Sequence, residues 1–282
     1  MSTRELAAPS APAIVSAPMS PWWLLVFLAV TLIGITKSGF GSGVGLMIVP
    51  MTAIAIGHTP FGEKAALGLL LPLLIAGDLI AVWQYRHLFS FTIVKRLLPG
   101  TAAGVVIGSL LLWWIGQHRQ ELANALMRIE IGGESILLVG LHWWRTWRRH
   151  AVKLLPEPLR GAVTGAFAAV SSTLAHAAGP IITLYLLPLG IDRQAYVGTS
   201  AIYFFILNSA KLPAYWATGQ FRYARLAFSM QFLPLVALGA AVGWGLNKRI
   251  SDRVFSKVVY ALTFALGWYI LIDGIGKLVR PR

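Results

Sequence analysis

Four ionisable side chains stand out inside apolar stretches of this sequence: Lys37, Asp78, His176 and Lys211. Ionisable residues within a membrane-like span face protein or water and mark functional sites by default. Lys211 offers positive charge to an anion, and Asp78 could carry a coupled proton; the two could equally neutralise one another. Asn208, Thr199 and Tyr203 precede Lys211 on the same predicted helix. The spacings from Asn208 to Lys211 and to Tyr203 roughly share one face. An unperturbed histidine titrates near neutrality, although a lone one such as His176 more often only donates a hydrogen bond.

The second chemical feature is a glycine-rich break. Apolar runs at Trp22–Ile35 and Leu46–Ile56 flank Lys37, Ser38, Gly39, Gly41, Ser42 and Gly43. Each flank is well short of the roughly 20 apolar residues that span a bilayer. In lipid, non-helical backbone survives only where protein buries it or it lines a cavity. Half-length segments meeting at such a break point to a transporter's binding site. The helix predicted to begin near Val44 presents free N–H groups, which attract anions. A second break carries Ser172, His176, Gly179 and Pro180, with proline suited to a first helical turn. Two such ends facing each other would make one anion site. The plainer reading, that the glycines only permit tight packing, fits less well with Lys37, Ser38 and Ser42 among them. Lys37 itself either contacts the ligand or caps the preceding helix. The glycine spacing is not a dinucleotide fingerprint, since no strand precedes it and no acidic residue follows about 20 positions on.

The elements that must position these residues are membrane helices. Of 282 residues, 57% are hydrophobic and 12% charged, and mean hydropathy is +0.70. Soluble domains carry about 25% charged residues, so the fold class is an all-α polytopic membrane protein. The net charge of +14 reflects Lys and Arg in short loops, where they set orientation, and no nucleic-acid partner is expected. The absence of cysteine removes disulfides, thiolates and Cys-type metal sites; no metal and no cofactor are expected. Residues 1–20 read as a disordered tail, and the lone Arg4 beside Glu5 argues against a cleaved signal peptide.

Along the chain the sequence predicts a first membrane repeat at 21–141, a basic cytoplasmic linker at 142–158, a second repeat at 159–276 and a short tail at 277–282. Each repeat opens with a broken helix or hairpin and continues with three transmembrane helices. In the first these are Ala65–Tyr85, Leu97–Ile115 and Leu122–Leu141. The last of them carries Arg128, Glu130 and Glu134 and so faces protein. In the second they are Tyr196–Trp216, Leu226–Leu246 and Phe255–Ile272. Gly100, Gly104 and Gly108 form a small-xxx-small face suited to close helix packing. At an offset of 133, Gly57 meets Gly190, Asp78 meets Lys211 and Trp83 meets Trp216; at 135, Pro99 meets Pro234, Gly104 meets Gly239 and Gly108 meets Gly243. These matches, with the same order of elements, indicate duplication. The length of the Trp22–Ile56 stretch at 1.5 Å per residue exceeds one straight crossing and favours inverted repeats; the loop charges are evenly split.

Ser38-Gly39-Phe40-Gly41-Ser42-Gly43 with Val49-Pro50 resembles the first-half signature of the TauE/SafE sulfite-exporter family. Gly179-Pro180-Ile181-Ile182-Thr183-Leu184-Tyr185, Gly198-Thr199-Ser200 and Asn208 with Lys211 resemble the second half. The similarity spans Trp23 to Ile272. Where family members often have a Gly-rich turn before the second Gly-Pro, this chain has His176-Ala177-Ala178. The resemblance implies a multi-pass secondary transporter of the bacterial inner membrane for sulfite or organosulfonates, and no enzyme. Alternating access around the breaks, coupling through Asp78 and a homodimer are open at this point, as is the alternative of a passive anion channel or membrane assembly factor.

Overall fold

The computed structural model describes residues 22–40, 47–57, 65–117, 120–147, 156–221, 223–246 and 252–279. The tail at 1–20, Gly41, Ser42 and Gly43 of the first break, the connector at 58–64 and the stretch 148–155 of the basic linker lie outside the described residues. All regular elements described are helical. Helix α1 (Trp22–Ile35) runs into a π turn at Thr36–Phe40, and α2 (Ile48–Gly57) completes the first broken segment. Then come α3 (Ala65–Gln84), α4 (Phe91–Gly116) and α5 (Gln120–Trp147), which runs on into the stretch read as linker. The second broken segment is α6 (Glu157–Ala175) and α7 (Ala178–Leu186). It is followed by α8 (Arg193–Ala210), α9 (Leu212–Ala217), α10 (Tyr223–Met230), α11 (Leu233–Leu246) and α12 (Asp252–Val279).

Two helices that the sequence predicts as continuous are divided. The Tyr196–Trp216 helix breaks at Lys211 ahead of Pro213, and the Leu226–Leu246 helix breaks between Met230 and Leu233, ahead of Pro234. Proline lacks the N–H and clashes with the carbonyl four residues back. Pro72 and Pro99 nevertheless remain inside α3 and α4, as membrane helices allow where neighbours re-satisfy the backbone.

Three helical stretches are long and apolar enough to cross a bilayer: Ala66–Gln84, Phe91–Gly116 and Tyr260–Val279. Trp23–Gly39, Ala178–Leu189 and Leu233–Leu246 are apolar but shorter. Large apolar side chains point outward from them, including Leu24, Leu28, Trp83, Leu110, Trp113 and Trp114. So large an apolar exterior is a liability in water and the matching surface in lipid. The protein is a polytopic helical membrane protein.

The packing exchanges partners between the halves. Helix α4 lies mainly on α6, and its counterpart α11 lies on α1; α5 meets α7 as α12 meets α2; α3 meets α8, and α5 meets α12. The contacts repeat in detail. A Cβ on Gly104 would stand 2.3 Å from the Ala166 carbonyl oxygen, and one on Gly239 would stand 2.2 Å from that of Thr31. Both glycines and both carbonyls are related by the offset of 135. At the crossing of α5 and α12, Gly132 faces Gly267, again 135 apart. These are the pairings that a two-fold relation between the halves requires. The glycine face of α4 serves packing, as its spacing suggested. Helix α2 packs beside α1, and α7 beside α6, which brings both interrupted segments to the centre.

Candidate functional site

Asp78 is fully buried on α3. Its Oδ1 accepts from Lys37 Nζ at 2.5 Å and its Oδ2 from Asn208 Nδ2 at 2.6 Å. Lys37 sits in the π turn, a distortion that recurs at functional sites, and is 11% exposed. Its ammonium also lies 4.3 Å from the centroid of the Phe204 ring, a cation–π arrangement. Of the two sequence readings of Lys37, ligand contact or cap, neither describes this contact: its partner is the carboxylate of α3.

Asp78 and Lys211 do not pair with each other. Lys211, also fully buried, donates to the Ser172 carbonyl at 3.0 Å and the Ser172 hydroxyl at 2.9 Å. Its third contact is His176 Nδ1 at 2.9 Å. Because the ammonium needs an acceptor there, His176 carries its proton on Nε2 and donates to the Leu67 carbonyl at 3.0 Å. The partners thus fix the tautomer. Among the described residues no carboxylate forms an ion pair with Lys211. Tyr215 closes this side, donating to the Thr173 carbonyl at 2.7 Å with its ring beside both Lys211 and His176.

His176 ends α6 with φ 52° and ψ 26°, a left-handed conformation that favours glycine. This chain therefore places an imidazole in a glycine-like backbone position. Such an outlier costs of order 1–2 kcal/mol and persists where the surroundings over-determine it. The two hydrogen bonds of the ring are what hold it.

The halves echo each other here too. Lys37 and Ser172 are 135 positions apart, and Asp78 and Lys211 are 133 apart. In each half the broken helix touches the long helix that follows it, with the lysine on the broken segment in one half and on the following helix in the other.

Between them lies a small cavity of about 30 Å³, lined by Thr36, Lys37, Ser172, His176, Gly179 and Asn208 together with Phe204 and apolar side chains of α2 and α3. The structure therefore gathers Lys37, Ser172, His176, Gly179 and Asn208 around one space, with Asp78 and Lys211 directly behind. Ser38 is buried nearby, its hydroxyl unpartnered and its carbonyl accepting from Tyr85. Pro180 follows Gly179 in the first turn of α7. Gly39 packs against the Gly243 backbone. Thr199 and Tyr203 are not in this group: Thr199 accepts from the N–H of Ser90, the N-cap of α4, at 2.9 Å, and Tyr203 bonds Thr101, near the middle of α4, at 3.1 Å. Phe204 went unnoticed in the sequence, although its spacing of four from Asn208 and seven from Lys211 places it on their face.

Interrupted helices converging on buried charges in an all-helical membrane fold define a polytopic membrane protein with an internal polar site. The chain belongs to the TauE/SafE sulfite exporter family, whose model matches residues 26–270 and so covers most of its length. That family consists of membrane transporters of sulfite and related anions, not enzymes. No curated protein and no solved structure matches the chain.

Proposed function

We propose that the protein exports a small sulfur oxyanion, sulfite first, across the bacterial inner membrane by alternating access around the two broken helices. The observation that carries this reading is Lys211: a fully buried lysine held by Ser172 and His176, with no carboxylate pairing with it among the described residues. Two lysines face one carboxylate around the cavity. A buried charge is costly unless compensated, and an entering anion supplies what Lys211 lacks. The cavity holds about two water-sized groups at roughly 10–15 Å³ each, which favours a compact inorganic anion over an organosulfonate in this conformation. The chain's two repeats are read as inverted, with the membrane boundaries and basic cytoplasmic linker given above; the packing of α2 beside α1 and α7 beside α6 supports hairpins over straight crossings. A proton reaching Asp78 would release Lys37 to the anion, which is how coupling there would work.

The test is thermal shift of the purified protein with sulfite, sulfate and a sulfonate. A ligand at about 100 times its dissociation constant stabilises the fold by about 2.7 kcal/mol. Sulfite is expected to stabilise the wild type and Thr199→Ala, but not Lys211→Ala. A shift that survives Lys211→Ala would move the site elsewhere, and no shift with any anion would favour a channel or assembly role.

A further inference from the structure

A second and larger cavity, of about 550 Å³, opens between α5, α6 and α7. Most of its wall is apolar, from side chains such as Leu138, Phe167 and Leu184. Glu130 and Glu134 face it from α5, one helical turn apart, and Ser171 faces it from α6. The Oε2 atoms of both glutamates are buried and make no hydrogen bond. The Ser171 hydroxyl is in the same condition, on a residue only 6% exposed. Three polar groups converge on this space with unmet hydrogen-bonding capacity.

The groups around the pair do not neutralise it. Arg160 lines the same cavity but is bound to Glu157, as is the Tyr185 hydroxyl. Tyr215 approaches Glu130 from α9, with its hydroxyl committed to Thr173. On α5 itself, Arg128 pairs with Asp273 of α12. Among the described residues no cation forms an ion pair with Glu130 or Glu134. Two like charges one turn apart in apolar surroundings are penalised both by burial and by each other. Nor does the repeat demand them: at the offset of 135 their places are taken by Ala265 and Tyr269. The pair belongs to one half only, so it is not a requirement of the shared fold.

A metal ion would need a fuller shell, since even compact Mg²⁺ takes octahedral coordination. Two carboxyls and one hydroxyl among leucines and phenylalanines suit a smaller ligand. We propose that Glu130 and Glu134 form a proton-binding site in which one proton is shared between the two carboxyls, with Ser171 completing its hydrogen bonding. Ser171 adjoins Ser172, which binds Lys211, so the end of α6 separates the proton site from the anion cavity. A change of charge at the pair would bear directly on the helix that presents Ser172 and His176. That coupling role rests on the transport reading; the bound proton does not.

The experiment is labelling of the purified full-length protein with dicyclohexylcarbodiimide, an apolar reagent that modifies protonated carboxyls, mapped by mass spectrometry across a pH series. One label per chain is expected, on Glu130 or Glu134, declining as pH rises. Glu130→Gln and Glu134→Gln should each move the label to the remaining glutamate, and the double variant should lose it. Infrared difference spectra should show a protonated-carboxyl band in the wild type that the double variant lacks and Asp78→Asn retains. Absence of label and band at every pH would overturn the proposal. So would a label confined to Asp78, or protection of the glutamates by sodium at constant pH, which would make the site one for a metal cation. Because labelling does not depend on sulfite, its failure is distinct from failure of the anion reading.

Discussion

The Lys37–Asp78 pair gives the sharpest test of how the centre is held together. Asp78 is fully buried, with one oxygen on Lys37 at 2.5 Å and the other on Asn208 at 2.6 Å. Lys37→Met leaves a buried carboxylate with only the Asn208 bond, and breaking a buried pair from one side costs about 3–5 kcal/mol. Asp78→Asn leaves the lysine instead, but Lys37 is 11% exposed and rests on the Phe204 ring. A cost nearer that of a lost charged hydrogen bond, about 1.5–3 kcal/mol, is expected. The double variant removes both charges and should lie within about 2 kcal/mol of wild type, because replacing a whole buried pair is often nearly neutral. The measurement is unfolding of the four proteins in mixed micelles titrated with sodium dodecyl sulfate. The cycle should return a coupling energy of a few kcal/mol, within or above the range for residues in contact. If the double variant instead loses the sum of the two single losses, the pair is not the energetic unit that its geometry describes.

Gly104→Val and Gly239→Val should both abolish folded, monodisperse protein in size-exclusion chromatography, since each Cβ would meet a backbone carbonyl at 2.3 or 2.2 Å, while Gly245→Val, with nothing within 4 Å, should not. Unequal effects at the two paired glycines would count against the two-fold relation. His176→Gly should change stability by less than about 1 kcal/mol, because relief of the left-handed backbone offsets the hydrogen bonds lost, yet it should weaken sulfite binding; unchanged binding by thermal shift would remove the imidazole from the site.

Much of the architecture was legible in the chain itself. Composition alone places it in a membrane, because few charges and many apolar residues admit no other solvent. The glycine and serine interruptions at Ser38–Gly43 and Ser171–Pro180 mark the broken helices, since lipid tolerates such sequences only where protein surrounds them. The offsets of 133 and 135 located the repeat, and the spacing of Gly100, Gly104 and Gly108 announced a close helix contact. Lys211 and Asp78 drew attention because an isolated charge in an apolar run needs a reason.

What the chain could not declare is which group each of these finds. Lys37 and Asp78 are 41 residues apart, and Lys211 and Ser172 are 39 apart; spacing within one helix says nothing about pairs across elements. Thr199 and Tyr203 lie on the helix of Asn208 and Lys211, yet helix α4 takes them. The left-handed turn at His176 is likewise settled by packing, where the hydrogen bonds of fixed neighbours outweigh local preference. Periodicity and composition, being one-dimensional, determined the solvent, the elements and the duplication. The partners of Lys37, Asp78 and Lys211, and with them the site, were decided only when each broken helix packed on the helix that follows it and Asn208 and His176 reached across to Asp78 and Leu67 of the other half.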